Sequence, residues 1–286
     1  DDDSLTYGDD AYSVSNYDRN SLYDTLPMYQ AIAESKNTSA VWLLDKLGIQ
    51  RGISKLEDFG ISIGEADENL GAIALGGMSK GVTPVQLASA YTTFVNEGVR
   101  TQARFITKIV DATGAVIVDN TKPKTNRVTT AAVAEEMTSM LMGVYADGGT
   151  GASAQPSNGM VIAGKTGTTE LDRETGYIKS QWMVGYTPDL VVATWLGYDK
   201  TNEIYNLNNA GKTMANLYSA EMGALLSISP QTEFAVAAAE ETYDSGIING
   251  LKNGLDEFMN DMGSFGQSLG EGSKKLFDWA NEAFGQ

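Results

Sequence analysis

The sequence contains no cysteine and no histidine among its 286 residues. Without cysteine the chain can form no disulfide, no cysteine-ligated zinc site and no thiolate nucleophile. Without histidine it cannot build a Ser-His-Asp or Cys-His triad, or a histidine metal site. Any catalysis must therefore use serine, threonine, tyrosine, lysine or carboxylate side chains.

Basic residues are also scarce, because 20 lysines and arginines face 37 aspartates and glutamates, which gives a net charge of −17. Most of this charge lies at the two ends: residues 1–30 have a net charge of −6 and residues 233–286 have −7. A chain this acidic is a poor partner for nucleic acid, which we therefore exclude. The acidic ends are interpreted as solvated segments.

Long apolar runs are missing as well, since no stretch of about 20 apolar residues or leader peptide is present. The chain begins with Asp1 instead of methionine, and we expect either a mature secreted form or a piece of a longer protein. With 42% hydrophobic residues it can still bury a sizeable core.

Hydrophobic periodicity and turn residues predict an α+β fold with an antiparallel sheet flanked by helices. Residues 1–26 are interpreted as loop. One helix is predicted to begin near Pro27 and a second to end at the capping Gly48. A third is predicted to begin at Thr83-Pro84 and a fourth after Thr130. A hairpin is predicted to turn at Ala112-Thr113-Gly114, and three further strands over 160–168, 181–186 and 190–197. Strands that follow one another directly favour antiparallel pairing.

The composition changes near residue 230, and this change suggests a domain boundary. Residues 1–230 are predicted to form one domain. Residues 231–286 are acidic and rich in glycine, with apolar residues at loose helical spacing. Because each interior glycine weakens a helix by about 1 kcal/mol, this tail is predicted to be weakly helical or disordered.

Lys165-Thr166-Gly167-Thr168 stands at the end of a predicted strand. A lysine held there is a fixed cation, two threonine hydroxyls beside it can bind a carboxylate, and Gly167 lets another backbone approach closely. An exposed strand edge can also pair with an extended peptide. The motif would thus suit a peptide that ends in a carboxylate, although a solvated lysine at a strand end is the simpler alternative.

Ser35-Lys36-Asn37 lies between two predicted helices, where side chains can be presented to a ligand. By itself this pattern is most simply a helix cap, which serine and asparagine often provide. In combination with the lysine motif it gains weight, because Ser-x-x-Lys, Ser-Asp-Asn and Lys-Thr-Gly together mark serine β-lactamases and penicillin-binding proteins.

The sequence resembles these proteins well beyond the two motifs. The segments "IAESKNTSAVWLLDKLGI", "ALGGMSKGVTPVQLASAYTTFVNEG" and "GKTGTTE", followed by "QWMVGYTPDLVVATWLGYD", stand in the family's order. From about residue 10 to about residue 226, the chain is similar to the transpeptidase domain of a bifunctional, Gram-positive-type class A penicillin-binding protein.

The resemblance implies a role for each matching position. Ser35 would relay a proton between nucleophile, leaving amine and Lys165, while Asn37 would hydrogen-bond the acyl amide of the substrate. Lys165 would supply positive potential near the nucleophile. Thr166 and Thr168 would bind the terminal carboxylate of D-Ala-D-Ala or of a β-lactam, and the backbone N–H of Thr168 would be one oxyanion-hole donor. No cofactor or metal is implied.

The nucleophile that this resemblance implies is missing from the sequence, because no serine stands three residues before a lysine. The nearest pattern, Thr121-Lys122-Pro123-Lys124, lies after Ser35 and so has the wrong order for the family. We expect the Ser-x-x-Lys motif, a glycosyltransferase domain and a membrane anchor to lie upstream of Asp1. Two alternatives stay open: a separate chain supplies the serine, or the protein is a pseudoenzyme.

The implied activity is cross-linking of peptidoglycan stem peptides that end in D-Ala-D-Ala, with β-lactams as ligands, at the outer face of the bacterial membrane. The chain alone should form no acyl-enzyme. A D,D-carboxypeptidase or β-lactamase relative, and a non-catalytic cell-wall binding or scaffold protein, remain as alternatives. Nucleotide binding is set aside: the Gly-x4-Gly-Lys-Ser/Thr spacing occurs once, from Gly159 to Thr166, but the four residues between the glycines are an apolar run that belongs to a predicted strand and not to a phosphate-binding loop.

Overall fold

A computed structural model describes residues 4–7, 12–17, 25–172, 176–207 and 210–240, all of which belong to a unit that spans residues 1–240. The helices are α1 (Met28–Ala33), α2 (Asn37–Leu47), α3 (Ile49–Asp58), α4 (Leu70–Leu75), α5 (Pro84–Val95), α6 (Ala131–Met142) and α7 (Ala210–Leu226). The strands are β1 (Ser4–Tyr7), β2 (Tyr12–Ser15), β3 (Val99–Thr101), β4 (Lys108–Val110), β5 (Val116–Asp119), β6 (Thr125–Arg127), β7 (Ala163–Asp172), β8 (Tyr177–Tyr186) and β9 (Val191–Gly197).

The largest sheet is antiparallel and has the order β7-β8-β9. Its register pairs Lys165 with Val184 and Gly167 with Trp182 across β7 and β8. Three two-stranded antiparallel sheets, β1-β2, β3-β6 and β4-β5, complete the strands of the described residues. The predicted α+β class with an antiparallel sheet flanked by helices is therefore confirmed.

The core lies between this sheet and the helices α5, α6 and α7. Its three fully buried tyrosines are Tyr145, just after α6, Tyr186 on β8 and Tyr218 on α7. The rings of Tyr145 and Tyr218 stack, and the ring of Tyr186 stacks with Phe94. The Tyr145 hydroxyl donates to the carbonyl oxygen of Val184, and the Tyr186 and Thr138 hydroxyls lie 2.9 Å apart. Buried hydroxyls with partners let this core hold tyrosines without orphaned polar atoms.

Local signals set the helix ends as the sequence predicts. Thr83 and Gln86 form a reciprocal capping box at the start of α5, and Pro84 is the first residue of that helix. The hydroxyl of Thr130 accepts from the backbone of Val133 at the start of α6. Gly48 ends α2 with a φ of +92°, which glycine adopts without strain.

The prediction that residues 1–26 are loop is wrong for the part that the structure describes. β1 and β2 pair in register from Ser4↔Ser15 to Tyr7↔Tyr12, and Val14 is completely buried. β7 also begins later than predicted and extends further, to Asp172. Polar composition concealed the first hairpin, because only one face of it is buried.

The tail predicted over 231–286 falls mainly outside the described residues. Within the described part, Phe234 and Val236 pack against the core, and Asp189 accepts hydrogen bonds from the backbone and hydroxyl of Thr232. None of the helices in the described ranges is both long enough and apolar enough to cross a bilayer.

Candidate functional site

Ser35 lies in a tight turn that ends α1. The backbone N–H of Lys36 donates to the Ala31 carbonyl and that of Ser35 to the Ile32 carbonyl, which is the bonding pattern of a Schellman motif. Ser35 occupies the left-handed position of this motif with a φ of +57°. Glycine is the usual residue there, and a non-glycine residue in this region costs about 1–3 kcal/mol. The serine side chain is thus held at a strained position.

Lys165, on β7, reaches this turn from a point 130 residues further along the chain. Its Nζ donates a hydrogen bond to Ser35 Oγ at 2.7 Å and a second one to the carbonyl oxygen of Thr166 at 3.2 Å. The structure therefore brings together two of the residues that the sequence selected. An ammonium and a hydroxyl in direct contact can pass a proton from one to the other.

Burial lowers the pKa of Lys165 from 10.5 to about 8. Removing the ammonium from water disfavours its charged form. At neutral pH most Lys165 side chains still carry a proton, but the lysine is a far stronger acid than a solvated one. Such a pKa is suited to a group that supplies and recovers protons near neutral pH.

This pKa predicts how stability depends on pH. Because the folded-state pKa lies below the unfolded-state pKa, the folded chain carries the penalty of a buried charge below pH 8. The penalty should disappear as pH rises from about 8 to about 10.5, so the free energy of unfolding should increase across this window relative to Lys165→Met. Urea unfolding of both proteins from pH 6 to 10.5 measures it. A constant difference between them would contradict the prediction.

Asn37 is the first residue of α2, and its Nδ2 donates to the carbonyl oxygen of Ser15 on β2 at 3.1 Å. Neither Ser35 nor Asn37 caps this helix: the N-cap position is Lys36, whose side chain makes no capping hydrogen bond. Instead, the Oδ1 of Asn16 accepts from the backbone N–H of Thr38 at 3.1 Å. The simple helix-cap interpretation of the Ser-x-Asn pattern is therefore wrong.

Lys36 stands between these two residues and is almost completely buried. Its Nζ lies 3.2 Å from Oε2 of Glu34, and the other carboxylate oxygen, Oε1, accepts a hydrogen bond from Gln30. The ion pair joins the residues on either side of Ser35. It offsets part of the penalty for burying the lysine charge next to the turn.

Thr166 and Thr168 alternate along β7, so their side chains point to the same side of the strand. Thr168 is exposed and Thr166 is partly exposed. A Cβ placed on Gly167 would lie 3.3 Å from the Cβ of Trp182, so the glycine permits a close approach. In the part of the chain that the structure describes, β7 pairs only with β8 and leaves its other edge open.

Sequence analysis missed two residues that border this site. Thr150 Oγ1 lies 2.7 Å from Thr166 Oγ1, and Asn16 caps the helix that carries Asn37. The only signal for Thr150 was its glycine-rich loop, and none indicated Asn16. Thr121, from the out-of-order Thr-x-x-Lys, follows β5, where its hydroxyl donates to Asp119. Within the described ranges, no three acidic side chains come close enough to hold a metal ion.

Comparison with known proteins places this geometry in a family. The family model for the penicillin binding protein transpeptidase domain matches residues 1–220. Penicillin-binding protein 2a of Streptococcus pneumoniae is 39% identical over 240 residues, which cover 83% of this chain and 32% of that protein. Penicillin-binding protein 1F of Bacillus subtilis is 39% identical over 218 residues, covering 76% of this chain and 29% of that protein. The chain thus spans about a third of the length of these relatives.

Solved structures agree with this result. The penicillin-binding protein PonA1 from Mycobacterium tuberculosis aligns with a TM-score of 0.65 at 26% identity, over 82% of this chain and 64% of that one. The PonA1 complex with penicillin V aligns with a TM-score of 0.66 at 24% identity, over 82% of this chain and 65% of that one.

Proposed function

Because the chain belongs to the penicillin-binding protein transpeptidase domains, we propose that it is the C-terminal part of a serine-type D,D-transpeptidase. The whole protein would cross-link peptidoglycan stem peptides ending in D-Ala-D-Ala, and β-lactams would acylate it. The observation that carries this proposal is the 2.7 Å hydrogen bond from Lys165 Nζ to Ser35 Oγ. The two residues are 130 positions apart in the chain. Ser35 lies in a strained turn, and burial destabilises the charged form of Lys165.

In the proposed reaction, the nucleophilic serine gives its hydroxyl proton to the lysine of its own Ser-x-x-Lys motif and attacks the carbonyl carbon of the penultimate D-Ala. The bond to the terminal D-Ala nitrogen then breaks. Ser35 accepts a hydrogen bond from Lys165, so its own hydroxyl proton is free to be given to the leaving nitrogen. Lys165 then replaces that proton. In the second step the amine of a neighbouring stem attacks the acyl-enzyme and gives its proton to Ser35 and Lys165 along the reverse route. The lysine of the Ser-x-x-Lys motif returns its proton to the serine oxygen, and the bond between that oxygen and the acyl carbon breaks.

The substrate's terminal carboxylate would bind on the Thr166 and Thr168 face of β7. A carboxylate accepts hydrogen bonds only, and both residues carry a hydroxyl that can donate. The open edge of β7 would pair with the extended stem peptide. We assign the backbone N–H of Thr168 to the oxyanion hole, where one such donor typically contributes about 3–4 kcal/mol to transition-state stabilisation. Asn37 would bind the acyl amide, and Gly167 would let the backbone of the stem peptide approach β7 closely.

None of these 286 residues forms a Ser-x-x-Lys motif. The only Thr-x-x-Lys in the sequence follows the exposed β4-β5 hairpin, where Asp119 already engages the Thr121 hydroxyl. We therefore propose that an upstream Ser-x-x-Lys segment of the same protein completes the site. The same protein would carry the glycosyltransferase domain and the anchor that holds it at the outer face of the membrane.

Intact mass spectrometry with fluorescent penicillin tests this proposal. The chain alone is expected to gain no covalent adduct because it lacks the nucleophile. The natural protein that includes the Ser-x-x-Lys segment is expected to gain one adduct per molecule. An adduct on the chain alone would overturn the assignment of the nucleophile. Absence of an adduct on both would instead favour a non-catalytic cell-wall binding or scaffold protein with this fold.

A further inference from the structure

Thr150 joins the two halves of the site. It lies in the loop after α6, and its backbone N–H donates to the carbonyl oxygen of Ala33, the last residue of α1, at 3.1 Å. Its hydroxyl lies 2.7 Å from the hydroxyl of Thr166 on β7. A single residue therefore contacts both the helix that leads into Ser35 and the strand that carries Lys165.

Backbone interactions, independent of the Thr150 side chain, fix this loop. The N–H of Gly151 donates to the Val144 carbonyl at 2.8 Å, and that of Gly149 to the Ala146 carbonyl at 3.0 Å. A Cβ on Gly149 would lie 2.2 Å from the carbonyl oxygen of Gly143, so only glycine fits there. None of these contacts uses the Thr150 hydroxyl, so the hydroxyl can serve another purpose.

The hydrogen-bonding capacity of the Thr150 and Thr166 hydroxyls indicates this purpose. A hydroxyl has one proton, and a carboxylate can only accept. If Thr166 binds the substrate carboxylate, it must give its single proton to that carboxylate. In the pair with Thr150, Thr166 can then only accept. Thr150 must therefore be the donor whenever a carboxylate is bound.

We propose that Thr150 is a positioning residue that donates to the Thr166 hydroxyl and so directs the Thr166 proton toward the carboxylate of the ligand. This inference rests on the proposed function, in which Thr166 binds a carboxylate. A donor behind the hydroxyl also polarises it, because hydrogen bonds in a chain strengthen one another. The predicted effect is selective: it concerns ligands with a free carboxylate and leaves the proton relay through Ser35 unchanged.

The test uses the natural protein with its nucleophile, and compares Thr150→Val with Thr150→Ser. Valine has the shape of threonine and keeps the backbone N–H that donates to Ala33, but it lacks the hydroxyl. Penicillin G and its methyl ester, in which the carboxylate is neutralised, serve as the two probes. The concentration dependence of acylation separates the half-saturation concentration from the limiting acylation rate.

Thr150→Val is expected to raise the half-saturation concentration for penicillin G roughly 3- to 10-fold, as the loss of one hydrogen bond would. The limiting rate and the acylation by the methyl ester should stay near wild type. Thr150→Ser should restore binding. Thr113→Val, which removes a hydroxyl that donates to Asp111 in the exposed β4-β5 turn, is the matched control and should change neither probe. In a Thr166→Val background, the effect of Thr150→Val should vanish.

Three outcomes would overturn the inference. Equal losses with the acid and the ester would show that Thr150 has only a structural role. No change in Thr150→Val, with penicillin G still preferred over its ester, would reject the inference and leave the proposed function intact. A wild-type protein that is not acylated, or that does not prefer the free acid, would reject both the carboxylate role of Thr166 and the inference that rests on it.

Discussion

Lys165→Met is expected to slow acylation of the natural protein by penicillin roughly 10²- to 10⁴-fold, the usual contribution of a positioned acid–base group. Methionine is similar in length to lysine but cannot donate to Ser35 Oγ. Ser35 then has no source from which to recover the proton that it gives to the leaving nitrogen. The second-order rate with fluorescent penicillin, followed by gel or stopped flow, measures the loss.

The same substitution is expected to stabilise the fold, and this separates a catalytic loss from misfolding. The lowered pKa shows that burial of the ammonium opposes folding near neutral pH. An apolar side chain removes this penalty, although the hydrogen bonds to Ser35 and Thr166 are lost with it. We expect a net gain of roughly 1–2 kcal/mol in the free energy of unfolding at pH 7.

Lys179→Met is the matched control, because Lys179 is an exposed lysine on β8 of the same sheet. It should leave both acylation and stability near wild type. If Lys165→Met instead destabilises the chain and acylation falls only in proportion to the folded fraction, Lys165 is a structural residue and the proposed relay is rejected.

Ser35→Gly is expected to abolish most of the activity and yet to be more stable than Ser35→Ala. Glycine removes the hydroxyl that accepts from Lys165, so acylation should fall roughly 10²-fold or more. It also relieves the left-handed backbone at a φ of +57°. The relief is worth about 1–2 kcal/mol, and the greater freedom of glycine in the unfolded chain cancels about 0.5–1 kcal/mol of it.

Ser35→Ala provides the comparison, since it removes the same hydroxyl and keeps the strain. Both variants should be acylated equally slowly, whereas urea unfolding should place Ser35→Gly roughly 0.5–1 kcal/mol above Ser35→Ala. This result would mean that the strained turn is kept for the sake of the hydroxyl. Equal stability of the two variants would show that the turn stores no strain, and normal acylation of either would remove Ser35 from the mechanism.

The arrangement of the residues that the sequence selected for the site shows which part of a site short-range patterns reveal. The Lys-Thr-Gly-Thr and Ser-x-Asn patterns marked the positions that meet. The absence of histidine limited the chemistry to lysine, hydroxyl and carboxylate groups. Nothing in the local pattern distinguished a solvated lysine from one that lies buried against a serine.

The sequence by itself determined the C-terminal end of α2, the starts of α5 and α6, the β4-β5 turn and the antiparallel class of the sheet. These features depend on capping side chains, glycine conformations and periodicity, and each acts within a few residues. Tertiary structure alone decided the partners of the site: the contact across 130 residues, the lowered pKa of Lys165, the capping of α2 by Asn16 and the contact of Thr150 with Thr166. Burial and long-range contacts arise only when α1, α6 and β7 pack together, and no window of neighbouring residues contains that information.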